Sequence, residues 1–480
     1  MPLSNRSLAY SEPTAAMVSA LDFIDEEVAR LTGPDSTFEE REDAAFSVMR
    51  GMFWHRGDRD LQSLVTSADE VEVEGRRYRR MSQSSSTCYA GAWGRHVVNE
   101  PLYRQVGIHN GPTIKPIELR AGVVEHMLPS FARIVGEFMA EGTSRKAVRL
   151  LRAVGLAPPS RAFLEKRATR MGAEIAATAA ALEEAARAVQ PPPKGVASVS
   201  CGLDRMTVRK AEEADPALLN DRPKRSTPYL RKPPPPKDYH YRMAWVGTAT
   251  AYDIDGNELH TWRFAVENDA DRDALADRVA ADVRWLVGSN PRIPVHCIQD
   301  GAPELSAMPA AIKRALPEDT PLRELVDFKH TIDYLEKVVD ACEPTGDPNN
   351  WKSWYWHTLL NEDDGIDKIL RKLRRVAEKF PRTEDNERAR AAVAAAISYI
   401  RRRKAKMRYA SHYAAKLPIG SGATEGTCWL MQERVKKPGQ SWEDGLPGTL
   451  AMRSLVLSDR WNHAWPAYAT THRKEVRDAA

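Results

Sequence analysis

The chain has 480 residues, of which 42% are hydrophobic and 28% charged, and its formal net charge is +4. This composition is typical of a soluble globular protein with room for two to four domains. The sequence contains no run of about 18 apolar residues, so no membrane-spanning helix is predicted. The five cysteines contain no Cys-x-x-Cys pair, which argues against a zinc ribbon or a disulfide framework.

The first 188 residues predict three regions. Apolar periodicity predicts helices in residues 1–68. Alternation of apolar and polar residues, together with glycine turns, predicts a small antiparallel β region in 69–120. Helices return in 121–188, where "SRKAVRLLRAVGL" and "APPSRAFLEKRATRMG" predict two short helices around a tight turn at Gly155. Ser160 fits the N-cap of the second helix.

Basic residues mark two candidate DNA-binding surfaces. The second short helix carries Arg161, Lys166, Arg167 and Arg170. This is the layout of a helix-turn-helix, whose second helix enters the major groove, although an ordinary helical hairpin fits equally well. A cluster near the C-terminus could contact the phosphates of DNA ends, or could simply be a solvated helix end. It consists of Arg434, Lys436 and Lys437.

After a proline-rich linker at 189–195, strands dominate. Residues 197–342 predict three strands, a helix and a further strand that ends at Asp300, then a short strand leading into a helix. Asp255-Gly256 predicts the turn of a hairpin between the second and third strands. A basic proline-rich segment separates the first strand from the second. The remainder predicts an all-helical insertion at 343–415, C-terminal core helices at 416–465 and a tail at 466–480.

This order of elements is that of a ribonuclease-H-like sheet, so we expect a mixed α+β fold. In that architecture acids from the first strand, the fourth strand and a late helix meet at one sheet edge. Here these acids are Asp204, Asp300 and Glu425. Two divalent ions about 3.5–4 Å apart can then catalyse phosphodiester transfer, and Mg²⁺ favours such oxygen ligands. Taken singly, each acid fits turn chemistry or helix-dipole stabilisation better.

Several segments resemble one known family, the DDE transposases of bacterial insertion sequences with Mutator-like features. They are "VSCGLDRMTV", "CIQDGAPEL", "VDFKHTIDYLEKV" and "PIGSGATEGTCWLMQERVKKPGQ". The resemblance implies that Asp204, Asp300 and Glu425 bind two Mg²⁺ or Mn²⁺ ions. It also matches Asp327-Phe-Lys-His330 to a Cys-or-Asp…His motif beside the active site, so that His330 helps to position substrate. Alone, His330 would more often be a core or capping residue.

The resemblance further implies the function and the partners. The expected enzyme cleaves double-stranded DNA at terminal inverted repeats and transfers the freed 3′-hydroxyl into target DNA. It would act as a homodimer or higher oligomer on DNA, in the bacterial cytoplasm at the nucleoid; an N-terminus without an apolar signal core agrees with that location. Many relatives carry a cysteine-rich zinc segment, but only Cys88 lies in that region here, so we expect no zinc. Two alternatives are a domesticated transposase that only binds DNA and a ribonuclease-H-like nuclease without strand transfer.

Overall fold

A computed structural model describes residues 15–213, 237–288, 290–342 and 348–479. The chain divides into two compact units, residues 1–186 with 459–480 and residues 187–458. Both helices and sheets are present, which confirms the mixed α+β class. Most of the basic proline-rich segment lies outside the described residues, in 214–236. Within the described part of the chain, no helix combines the length and the apolar character that a membrane crossing needs.

The first unit begins with two helices, then an antiparallel meander, then five helices. Its two N-terminal helices are α1 (Ala15–Leu31) and α2 (Phe38–Gln62). Neighbouring antiparallel strands follow in chain order as β1 (Glu70–Val73), β2 (Arg76–Gly91), β3 (Gly94–Gln105) and β4 (Thr113–Ile114). The helices that follow are α3 (Pro116–Ala121), α4 (Pro129–Glu141), α5 (Ser144–Ala153), α6 (Arg161–Ala177) and α7 (Ala179–Val189).

The second unit is built on a five-stranded sheet. Its strands are β5 (Ser198–Glu213), β6 (Lys237–Tyr252), β7 (Glu258–Val266), β8 (Val295–Gln299) and β9 (Leu322–Val326). Their spatial order is β7-β6-β5-β8-β9. Strand β6 runs antiparallel to its neighbours β5 and β7, whereas β8 runs parallel to both β5 and β9. Gly256, with φ of +82°, makes the predicted turn between β6 and β7.

Helices cover both faces of this sheet. The helices of this unit are α8 (Arg272–Val287), α9 (Ala307–Ala315), α10 (Phe328–Cys342), α11 (Pro348–Asn361), α12 (Gly365–Glu378), α13 (Glu387–Arg403), α14 (Tyr409–Ala414), α15 (Gly422–Val435) and α16 (Leu446–Leu457). Residues Val199 and Leu203 of β5 pack in one core with α8 and α9. Met206 and Val208 pack in another core with α15 and α16. Because side chains alternate along a strand, the even-numbered Asp204 shares the face that α15 covers.

The C-terminal segment differs from the expected tail at 466–480. It forms α17 (Trp461–His472) and β10 (Val476–Ala479), and both belong to the first unit. Strand β10 pairs antiparallel with β1, so that Val476 lies opposite Val73. Trp461 packs so closely on Gly136 of α4 that an added Cβ would lie 2.5 Å from the indole ring. The aromatic side chains of Trp461, Trp465 and Tyr468 are buried. Their burial stabilises this segment as a helix in place of the expected tail.

Candidate active site

Asp204 lies on β5 and faces α15. Its Oδ1 accepts a hydrogen bond of 2.7 Å from the backbone N–H of Arg205. Its Oδ2 lies 3.5 Å from Sγ of Cys428, a residue of α15. Burial raises the pKa of Asp204 and the negative charge of Asp300 raises it further, against the hydrogen bonds and the charge of His330. Asp204 is therefore a partly desolvated carboxyl group that interacts with two of the other predicted site residues.

Asp300 directly follows β8 and is held by the helical insertion. Its Oδ1 accepts from the backbone N–H of Ala302 at 2.7 Å. Its carbonyl oxygen accepts from the hydroxyl of Tyr399, on α13, at 2.9 Å. The carbonyl of the next residue, Gly301, accepts from Arg403 Nη2 at 2.7 Å. Helix α13 thus fixes the turn that carries Asp300.

Glu425 and His330 lie beside a third polar residue, Asp327. Among the described residues, these three form the group whose candidate ligand atoms all lie within 4.8 Å of one another. His330 Nδ1 is 3.2 Å from Asp327 Oδ1 and 3.6 Å from Glu425 Oε1. Asp204 and Asp300 are not members of this compact group. Asp204 and Asp300 interact electrostatically with each other, and Glu425 belongs to the compact group, so the three predicted acids do not form one tight cluster.

Asp327 is buried and strongly hydrogen bonded. Its Oδ1 accepts from the backbone N–H of His330 at 2.6 Å, and its Oδ2 accepts from the hydroxyl of Ser421 at 2.8 Å. Burial alone would raise the pKa of Asp327, but the hydrogen bonds from His330 and Ser421 lower it below its ordinary value. Asp327 is consequently ionised at neutral pH although only 1% of its surface is exposed.

His330 is the positively charged partner in this group. Its hydrogen bond with Asp327 is the largest cause that raises its pKa to about 9, burial opposes the shift, and the charges of Asp327, Glu425 and Asp300 add to it. Ser421 links the group further, since its hydroxyl lies 2.9 Å from Glu425 Oε1. The imidazolium therefore stands among carboxylates, with one of its neighbours held by Ser421.

Glycines set the space around Glu425. A Cβ added at Gly202 of β5 would lie 2.7 Å from Thr424 Oγ1 and 2.7 Å from the carbonyl oxygen of Ile298. Strand β5 and helix α15 can therefore approach closely only because residue 202 has no side chain. A Cβ added at Gly422 or Gly426 would meet nothing within 4 Å. The space on either side of Glu425 is open.

The basic residues of α6 differ in their accessibility. Arg167 Nη1 is 2.9 Å from Glu125 Oε2, and both side chains are largely buried. Arg170 approaches the same carboxylate at 3.5 Å, and Arg161 lies 3.5 Å from Glu165. Lys166 is exposed. As predicted, Ser160 caps α6, accepting a hydrogen bond from the N–H of Phe163 at 3.3 Å.

The C-terminal basic cluster is only partly a surface feature. Arg434 is 4% exposed, and its guanidinium carbon lies 5.1 Å from the ring centre of Trp442. This position favours packing in the core over contact with DNA. Lys436 Nζ donates to Thr207 Oγ1 at 2.7 Å, and Lys437 is exposed. Lys436 and Lys437 are both exposed, so either could contact a phosphate.

Sequence reasoning assigned no role to Ser421 or Cys428, each of which contacts one of the predicted acids. Ser421 lies only four residues from Glu425, but a serine at a helix start ordinarily indicates a cap, and Cys428 lies 224 positions from Asp204 in the chain. None of the known protein-family models matches this chain, and none of the curated proteins has significant sequence similarity to it. The functional argument therefore rests on the fold of this chain and on the positions of its acids.

Proposed function

We propose that the chain is a DDE-type DNA transposase with a ribonuclease-H-like core. The observation that carries the proposal is the strand order β7-β6-β5-β8-β9, in which β5, β6 and β7 are antiparallel and β8 and β9 run parallel to β5. Acids stand on β5, directly after β8 and in the first turn of α15. This combination is the one that the resemblance to bacterial insertion-sequence transposases leads us to expect.

The donor groups suit a hard divalent cation. Asp204, Asp300 and Glu425 would hold two Mg²⁺ or Mn²⁺ ions through carboxylate oxygens, the ligands that these ions prefer. Burial and the charge of Asp300 both disfavour the ionised form of Asp204, and a bound dication would offset that penalty. When bound, the ions would activate the attacking oxygen and stabilise the leaving oxygen of a phosphodiester.

Protein groups around the acids would orient the reactants. His330 carries a positive charge that Asp327 holds in place, so it can contact a DNA phosphate and help to position the substrate. The Ser421 hydroxyl lies 2.8 Å from Asp327 Oδ2 and 2.9 Å from Glu425 Oε1, so its single proton can be shared between the two carboxylates and help to orient Glu425. A Cβ at Gly422 or Gly426 would meet nothing within 4 Å, so no neighbouring side chain would block the approach of DNA at these two positions.

The first unit would recognise the transposon ends. Lys166 is exposed on α6, and if α5 and α6 act as a helix-turn-helix, α6 would read the major groove. Terminal inverted repeats and target DNA are the proposed partners, with the protein assembled as a homodimer or higher oligomer on DNA. The proposed location is the bacterial cytoplasm, where such DNA is found.

The deciding experiment replaces Glu425 by Gln and measures DNA binding and DNA cleavage on one labelled duplex. The duplex carries the inverted repeat that flanks the gene. Glu425→Gln should bind the duplex like the parent but neither nick it nor join strands with Mg²⁺ or Mn²⁺, because a metal ligand loses its charge. Glu433→Gln is the matched control, since Glu433 is exposed on the same helix α15.

Each alternative gives a different result in the same assay. Cleavage at the parent rate by Glu425→Gln would refute the metal-ligand role of Glu425. A parent protein that binds the duplex but never cuts it would point to a domesticated DNA-binding protein. A parent protein that cuts without joining strands would point to a nuclease.

A further inference from the structure

Helix α15 presents one narrow stripe of residues to solvent. The exposed residues of the helix follow the pattern i, i+3, i+4, i+7 and i+11, and these positions fall on one face of a helix. They are Gly422, Glu425, Gly426, Trp429 and Glu433. The stripe therefore carries the proposed metal ligand Glu425 and, one helical turn later, a tryptophan.

Trp429 is the large apolar side chain of this stripe. It is 61% exposed, more than any other tryptophan in the described part of the chain. Side chains on a helix lean toward its N-terminus, which for Trp429 is the direction of Glu425 and Gly426. Gly426 has no side chain that could cover the indole. The ring is thus exposed on the side of the helix where the proposed site lies.

Exposure alone does not indicate a role, because single exposed apolar residues are common on protein surfaces. The second observation is that the indole of Trp429 has no ring, cation or hydrogen-bond partner among the described residues. Each of the other eleven tryptophans lies against another ring, holds a cationic side chain or donates its indole N–H. Trp429 therefore differs from all of them in having its ring available to a ligand.

The position of Trp429 indicates the kind of ligand. Aromatic side chains stack on nucleobases of any sequence, because every base has a flat π-face. A base inside a duplex is already stacked, so the indole can reach only a base that is unpaired or displaced. Four residues of helix span about 6 Å, and a strand of B-DNA advances about 3.4 Å per nucleotide. A base about two nucleotides from a phosphate at Glu425 is within that distance.

We propose that Trp429 stacks on an unpaired base of the DNA end, about two nucleotides from the phosphate that is cleaved. The stacked base holds the strand in place beside Glu425. This inference rests on the proposed function, because that function brings a DNA strand to Glu425. Trp429 binds the base and takes no part in the chemistry at the phosphate.

The first test combines changes in the protein with changes in the DNA. The probe is a labelled duplex of the flanking inverted repeat whose nucleotides at the cleavage point are unpaired, and binding is measured without divalent metal. Bases within about four nucleotides of the cleavage point are removed one at a time to leave abasic sites. The parent should lose affinity about 5- to 150-fold at one position, the contribution of one stacked base. Trp429→Ala should show this loss on the intact probe and no further loss when that base is removed.

Two further substitutions at the same position separate stacking from simple apolar contact. Trp429→Phe keeps a flat aromatic ring, so it should bind the intact probe within about threefold of the parent. Trp429→Leu keeps apolar bulk without a π-face, so it should bind like Trp429→Ala. All three variants should melt within about 2 °C of the parent, because substitutions at exposed positions have little effect on stability.

The outcomes distinguish this inference from the proposed function. Parent-like binding by Trp429→Ala overturns the stacking role, and so does an equal loss at every abasic position or full restoration by Trp429→Leu. A parent that binds the probe but never cleaves it with Mg²⁺ or Mn²⁺ refutes the proposed activity, while the binding measurements still decide whether Trp429 stacks on a base. A parent that does not bind the probe at all overturns both.

Discussion

Adding one methyl group at Gly202 tests how closely α15 must lie against β5. The Cβ of Gly202→Ala would lie 2.7 Å from Thr424 Oγ1 and 2.7 Å from the carbonyl oxygen of Ile298, where ordinary contact begins at 3.4 Å. Both neighbours are constrained, because Ile298 contributes backbone of β8 and Thr424 hydrogen bonds to Thr248 at 2.7 Å. The added atom must push strand and helix apart.

The cost follows from these two contacts. Overpacking a close-packed interior costs about 1–3 kcal/mol, and loss of the hydrogen bond between Thr248 and Thr424 adds about 0.5–1.5 kcal/mol. Each kcal/mol lowers the melting temperature of a domain of this size by about 2–4 °C. Alanine in place of glycine within a strand offsets about 0.5–1 kcal/mol of this cost, which leaves a net cost of about 0.5–4 kcal/mol. We therefore expect Gly202→Ala to melt at least about 1 °C below the parent.

Calorimetry on the full chain measures the effect, and Gly426→Ala provides the control. Gly426 lies within α15 and a Cβ there would meet nothing within 4 Å. Since alanine is better than glycine in a helix by about 1 kcal/mol, that variant should melt at or slightly above the parent temperature. If Gly202→Ala has the same melting temperature as the parent, the inference that α15 lies in close contact with β5 at residue 202 is refuted.

Three further predictions concern DNA, pH and metal. Lys166→Glu should weaken DNA binding and lower the slope of log affinity against log salt by about one; anisotropy over a salt series measures this, and an unchanged slope would favour an ordinary helical hairpin. Burial lowers the pKa of His296 to about 3 from 6.5, so the unfolded chain binds a proton that the folded chain does not between these values. The free energy of unfolding should therefore fall as pH drops below about 6.5, by up to about 1.4 kcal/mol per pH unit, and denaturant titrations should show a shallower dependence in His296→Leu. Mg²⁺ should raise the melting temperature of the parent more than that of Asp204→Asn, since binding to the folded state contributes about 2.7 kcal/mol at a hundred times Kd; equal shifts would argue against Asp204 as a ligand.

Local patterns were enough to predict much of the second unit. Strand alternation and the Asp255-Gly256 turn predicted the β6–β7 hairpin, because a turn with positive φ at glycine depends on only a few neighbouring residues. In the first unit, Ser160 was likewise identified as an N-cap from its immediate context. Helix α9 was missed, since its nine residues offer little periodicity.

Contacts between distant segments could not be predicted in the same way. The basic run that contains Arg434 suggests a solvated surface, yet Arg434 is buried against Trp442. The hydrogen bonds from Ser421 to Asp327 join residues far apart in sequence. Neither periodicity nor composition encodes such a pairing, because each depends on how the loop before α15 returns to the start of α10.

Strand β10 has a consequence for folding during synthesis, because the sheet of the first unit is completed by a strand from the end of the chain. Its pairing with β1 joins Val476 to Val73, and residues 187–458 form a separate unit between them. A ribosome therefore releases the whole second unit before the first unit can receive its last strand. Until then the edge of β1 is open to other strands. The edge of β1 therefore stays unpaired while residues 187–458 are synthesised. A delay in translation near the 3′ end of the message would prolong the exposure of that edge.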